Sequence, residues 1–92
     1  MTVIMISDVP GVGPETIDGM ERAGLVDQLR AAAGFQGHWS GPIEGGYRVI
    51  ELWDSPDAYW AWVDGTVKPN LPPGVEPSPP TVIELYKEVP PG

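Results

Sequence analysis

The 92-residue chain has no cysteine and only one histidine. The first absence excludes disulfides and thiolate metal sites, and the second excludes a metal site built from several histidines. Basic residues are also scarce, with 5 Lys and Arg against 13 Asp and Glu and a formal net charge of -8. No Lys/Arg cluster occurs anywhere. Phosphate backbones and anionic membranes are therefore repelled, and neither nucleic acid nor a membrane surface is an expected partner. Otherwise the charge serves solubility. The opening stretch MTVIMISDVPG has no basic start, and its apolar part is too short for a signal peptide or a membrane span. A cytosolic protein is expected.

Ninety-two residues give room for a single domain over 1–92. A chain of this size buries only about 60–65% of its unfolded surface, so its stability margin is thin. With disulfides, thiolate metal sites and multi-histidine metal sites excluded, oligomerisation is the remaining source of help, and a homodimer is expected.

Thr2 to Val9 is rich in β-branched and apolar residues and ends at Pro10-Gly11, as a strand does. Pro14-Glu15 reads as a helix start, with proline at the first helical position and an acid in the first turn. Ile17, Met20, Val26, Leu29 and Ala33 recur at helical steps, which predicts one helix to about Ala33 with Gly34 as its cap. Phe35 to Ser40 and Tyr47 to Trp53 read as a hairpin around the turn Pro42-Ile43-Glu44-Gly45-Gly46, centred on Glu44-Gly45 or on Gly45-Gly46. Ser55-Pro56-Asp57 starts a second helix, expected to run to Gly65. Residues 68–80, with prolines at 69, 72, 73, 77, 79 and 80, read as a long extended loop. Thr81 to Val89 alternates again as a last strand. The order β-α-β-β-α-β is that of the α+β, ferredoxin-like arrangement: an antiparallel four-stranded sheet with two helices on one face. Two helices leave the opposite face bare, so two sheets are expected to pack face to face around a cavity.

The hairpin offers a test by parity. With an even loop, His38 lies opposite Glu51 or Trp53 and shares a face with Tyr47, Val49, Glu51 and Trp53. An odd loop or a bulge moves it to the other set. Ile50 and Leu52, with Ile4 and Ile6, read as the helix-covered core. That assigns Tyr47, Val49, Glu51 and Trp53 to the dimer cavity, with His38, Tyr86 and Glu84 beside them. Apolar and aromatic walls holding a few convergent polar groups suit a small apolar or aromatic ligand.

The stretches Gly34-Phe35-x-x-His38, Gly45-Gly46-Tyr47-Arg48-Val49 and Glu51-Leu52-Trp53-Asp54-Ser55-Pro56-Asp57-Ala58-Tyr59 resemble the dimeric α/β-barrel proteins. They are most similar to small relatives of the antibiotic biosynthesis monooxygenase domain. The resemblance is concentrated in residues 34–62, while the topology covers nearly the whole chain. It implies a cofactor-independent enzyme of monooxygenase, isomerase or cyclase type, acting on an aromatic or polyketide-like molecule. A non-catalytic member of the fold is the alternative. Haem degradation ranks below both. That branch uses an Asn on the first strand, a Trp at the position of Trp53 and a His near the second helix, and only the Trp is matched here.

His38 is the one side chain whose ordinary pKa suits proton transfer near neutrality. As a general base it would deprotonate a phenol or an activated carbon, and the resulting anion would react with dioxygen or be reprotonated elsewhere. The competing reading is a strand-edge histidine that bonds locally. Glu51 would serve as acid–base partner or orienter, or else sit at a wet cavity mouth paired with Arg48 or Lys87. Trp53 and Trp39 offer flat faces to a ligand or to an interface, and Tyr47 and Tyr86 offer hydroxyl donors. No cofactor or metal is expected. Asp, His and Ser are all present, but no elbow motif or spacing marks a nucleophilic triad. Gly11-Val12-Gly13 lacks the third glycine and the Lys of phosphate loops, so it reads as a turn.

Overall fold

A computed structural model describes residues 1–92. Four strands, β1 (Val3–Pro10), β2 (Phe35–Ile43), β3 (Gly46–Trp53) and β4 (Thr81–Glu84), form one sheet in the order β2-β3-β1-β4. Every pairing is antiparallel. The helices α1 (Pro14–Arg22), α2 (Leu25–Ala31) and α3 (Pro56–Trp62) follow β1 and β3. The architecture is α+β and ferredoxin-like, as the element order implies.

The helices differ from the periodicity reading in two places. The expected single helix over 14–33 is split at Gly24, which sits at φ +101° in the left-handed region and turns the chain between α1 and α2. The apolar stripe continues across this break, so spacing alone gave no sign of it. The second helix does not end at Gly65. Its path widens into a π-helical stretch, Val63–Val67, and continues through a last turn, α4 (Lys68–Asn70). Pro69 has no N–H to give the preceding turn, and wide turns are where helices absorb such an irregularity. The Asn70 side chain meanwhile donates to the Thr66 carbonyl at 2.7 Å. From Leu71 to Pro80 there is no regular element. Leu71 and Val75 of this segment pack on a small cluster of Val9, Val12 and Tyr47. Ser78 N–H is tied to the Asp8 carbonyl at 2.7 Å.

Register places the chemistry. Ile43 pairs with Gly46, so the hairpin loop is the two residues Glu44-Gly45, with Gly45 at φ +79°. The even loop sets His38 opposite Glu51. A bulge between Phe35 and Gly37 lets Phe35 and His38 share a face although their spacing is odd. The extra residue, Gln36, reaches Thr2 Oγ1 at 3.0 Å and Asp54 Oδ1 at 2.6 Å.

The assignment of the two faces is reversed from the sequence reading. The helix-covered face carries Val3, Met5, Ser7, Tyr47, Glu51 and Trp53, all buried. Ile4, Ile6, Ile50 and Leu52 lie on the opposite, uncovered face. Both sets are apolar enough for a core, so alternation could not choose between them. Side-chain volume and shape decide the matter: Trp53, wholly buried, meets Tyr59 and Trp62 from α3 at centroid distances of 6.4 Å each, and Phe35 edge-on at 5.5 Å. No helix is long and apolar enough to cross a membrane.

Candidate functional site

One end of the sheet–helix layer is filled by the Trp53 cluster, which also takes in Val3, Met5, Leu29 and Val63. Toward the other end the layer opens into a cavity of about 460 Å³, within the usual range for small-molecule sites. Most of its wall is apolar, with Ile17, Met20, Leu25 and Leu29 supplied by the helices. Leu71 and Pro77 close one side from the proline-rich segment. Because the helix-covered face holds this cavity, it lies between the sheet and helices of a single chain and not between two sheets.

The polar groups of the wall are concentrated on β2 and β3. Glu51 is buried, with a side chain only 5% exposed. A lone buried carboxylate is costly unless its oxygens are met by donors, and both are met here. Trp53 Nε1 donates to Oε1 at 3.0 Å, and His38 Nδ1 stands 2.6 Å from Oε2. Strand pairing makes this possible, since His38 and Glu51 are direct cross-strand partners. The other ring nitrogen, Nε2, lies 3.1 Å from Ser40 Oγ, and that hydroxyl lies 2.9 Å from the phenolic Oη of Tyr47. With Glu51 ionised, Nδ1 carries the proton of neutral His38. Nε2 then accepts from Ser40.

Tyr59 stands on the helix side of the same wall. Burial pushes its phenol above the ordinary value; Ser7, hydrogen-bonded to it, opposes that shift, and the Glu51 charge adds to it. Arg48 does not pair with Glu51. It crosses to Asp8 on the uncovered face, with contacts of 2.7 and 3.0 Å, and its hydrogen bond holds the Asp8 carboxyl below its usual range.

His38, Glu51, Tyr47 and Val49 all line the cavity. Trp53 does not; it is core, and it touches the site only through its indole N–H on Glu51. Trp39 touches the cavity rim, but its register places it on the uncovered face, where it is 57% exposed and folds back over Gly37. Tyr86 does not reach the cavity and lies in the exposed segment after β4. Sequence reasoning missed Ser40, Ser7 and Tyr59. Ser40 was legible in principle, because once His38 faces Glu51, the residue two positions along the strand shares that face. No group of three or more His, Asp or Glu side chains is assembled in a way that could hold a metal ion.

No protein-family model matches the chain, and no curated protein matches its sequence. Solved structures do match. SnoaB, a cofactor-independent oxygenase from Streptomyces nogalater, superposes with a TM-score of 0.68 at 14% identity, over 97% of each chain. A heme-degrading protein from Mycobacterium tuberculosis gives 0.61 at 23% identity, over 97% of this chain and 96% of that one. The chain has the ferredoxin-like fold of these proteins. At such identities the likeness is one of fold, and it extends over nearly the whole of each chain. The M. tuberculosis protein, MhuD, is also known with two hemes bound in its active site, a structure that matches with a TM-score of 0.54 at 21% identity over 95% and 98% of the two chains.

Proposed function

We propose that this chain is a small-molecule enzyme that works by proton transfer, of cofactor-independent monooxygenase, isomerase or cyclase type, on an apolar and aromatic or polyketide-like substrate. The observation that carries the reading is the sole histidine, fixed by a buried carboxylate at the wall of an otherwise apolar cavity. Glu51 orients His38 and stabilises the imidazolium that forms when His38 takes a proton. Ser40 extends the hydrogen-bonded line to Tyr47, whose side chain is in the cavity wall. In the oxygenase version, a phenol or activated methylene gives up its proton, and the electron-rich anion reduces dioxygen. One oxygen atom enters the product, and the other leaves as water with two substrate hydrogens. In the isomerase version, the same anion is reprotonated at another carbon.

An inert scaffold would fill the cavity with Trp39 and Trp53, whereas here the cavity is open, with His38 and Glu51 in its wall. This favours the enzyme over a non-catalytic member of the fold. The haem-degrading version draws on Trp53, which is buried away from the cavity, and therefore ranks below. The homodimer belongs to the same proposal. Ile4, Ile6, Trp39, Ile50, Leu52 and Ile83 form an uncovered apolar sheet face, and pairing two such faces would bury it. A cysteine-free chain of this kind suits the cytosol.

A thermal-shift screen against phenols, quinols, lactones and haem, followed by oxygen uptake with whatever binds, tests the reading. A phenol or quinol should stabilise the wild type and be turned over, and His38→Ala should abolish turnover. Turnover that survives His38→Ala, or a wild type that binds none of these classes, contradicts it.

A further inference from the structure

The hydrogen-bonded line does not stop at the imidazole. Trp53 Nε1 holds one oxygen of Glu51 at 3.0 Å, the other holds His38 Nδ1 at 2.6 Å, and His38 Nε2 meets Ser40 Oγ at 3.1 Å. A carboxylate, an imidazole and a hydroxyl joined in this order make a serine nucleophilic, and such sets are recognised by geometry and roles, not by chain position. The three residues differ in exposure in the sense the chemistry needs. The carboxylate is buried, the imidazole is a third exposed, and Ser40 is exposed on the edge strand β2. A second hydroxyl, that of Tyr47, stands 2.9 Å from Ser40 Oγ. It is within reach of a negative oxygen developing beside Ser40.

We propose that Ser40 is a nucleophile and that the chain hydrolyses small esters or thioesters whose apolar acyl group enters the 460 Å³ cavity; His38 and Tyr47, its two hydrogen-bond neighbours, line that cavity, and Ser40 stands just outside the lining. This activity needs neither dioxygen nor an acidic substrate proton, so it stands apart from the proton-transfer reading. Ser40 Oγ bonds to the carbonyl carbon while His38 Nε2 takes its proton, and the carbonyl π pair moves to oxygen, where the Tyr47 O–H meets it. The bond to the leaving alcohol or thiol then breaks, and His38 returns the proton to it. Water repeats the sequence on the acyl-Ser40 ester, which releases the acid and restores the hydroxyl. The sum is ester plus water giving acid plus alcohol.

A fluorophosphonate, which phosphonylates activated hydroxyls, tests this on the full chain by intact mass and peptide mapping, with p-nitrophenyl butyrate hydrolysis measured alongside. The expected result is a single adduct on Ser40 and ester hydrolysis abolished in Ser40→Ala. In His38→Ala both labelling and hydrolysis should fall by at least about a hundredfold. No adduct on the wild type, an adduct on Tyr47 or any residue other than Ser40, or hydrolysis undiminished in Ser40→Ala would overturn the proposal. The wild-type adduct decides by itself if a variant fails to fold. Failure of oxygen-dependent turnover leaves the result untouched.

Discussion

The two faces of the sheet have nearly the same hydrophobic pattern and different contents. The covered face combines Trp53, Tyr47 and Val49 with one buried acid and the only histidine, while the uncovered face carries Ile4, Ile6, Ile50 and Leu52 with a single bidentate ion pair, Asp8–Arg48. One face uses its polar groups inside an apolar wall, where each must be matched. The other leaves its ion pair in solvent, where matching is worth little. Hydrophobicity therefore does not mark the functional side of this sheet. The marks are bulky aromatics and buried, paired polar groups.

The largest expected effect on stability falls on the packed end of the covered face. Trp53→Ala should cost about 3–5 kcal/mol in denaturant unfolding, because it empties the centre of the aromatic cluster and removes a donor from Glu51. A loss below about 1 kcal/mol would mean that Trp53 is not the keystone of that layer.

Glu51→Ala should cost less, about 1–3 kcal/mol, since it strands the buried Trp53 N–H and releases His38. On the uncovered face, Ile50→Glu should change the stability of a protomer by no more than about 0.5 kcal/mol. Its effect should appear in sedimentation, as a dimer converted to a monomer. A wild type that already sediments as a monomer at tens of micromolar would remove the dimer from the account.

The smallest effects are the pH dependences. Tyr59 is held above its ordinary pKa of 10.0 in the native state, so the native state binds the proton more tightly there. Stability from this group is present below pH 10.0 and is lost as pH rises through the raised value, and Tyr59→Phe should flatten that alkaline decline. Asp8 is held below 3.8, so its contribution is present above that pH and is lost as acid protonates it. Asp8→Asn should leave thermal midpoints at neutral pH almost unchanged. A large drop would mean that the exposed pair matters more than solvent screening allows.

Much of this was legible in the sequence, for identifiable reasons. The glycine-rich turn and the alternation of residues 47–53 were enough to place the hairpin, but they left His38 opposite Glu51 or Trp53; the Ile43–Gly46 pair, which makes Glu44-Gly45 the loop, selects Glu51. Which side of the sheet that pair faces was not legible, since Ile50 and Leu52 are as suitable for a core as Val49 and Trp53. The break at Gly24 was hidden because the apolar stripe runs straight through it. The helical turn at Lys68–Asn70 was hidden because Pro69 reads as a breaker, and the wide turn before it depends on tertiary packing. Ser40 escaped notice because a serine on an exposed edge carries no signal until its neighbour's orientation is known.

The most direct test of the central claim, a Glu51–His38–Ser40 line that runs out from the cavity wall, is the nitrogen-15 spectrum of the histidine ring. With one histidine in the chain, every imidazole signal belongs to His38. The account predicts a neutral ring protonated at Nδ1, with Nε2 as acceptor, and loss of that preference in Glu51→Ala. A ring protonated mainly at Nε2, or a tautomer balance that Glu51→Ala leaves unchanged, would contradict it.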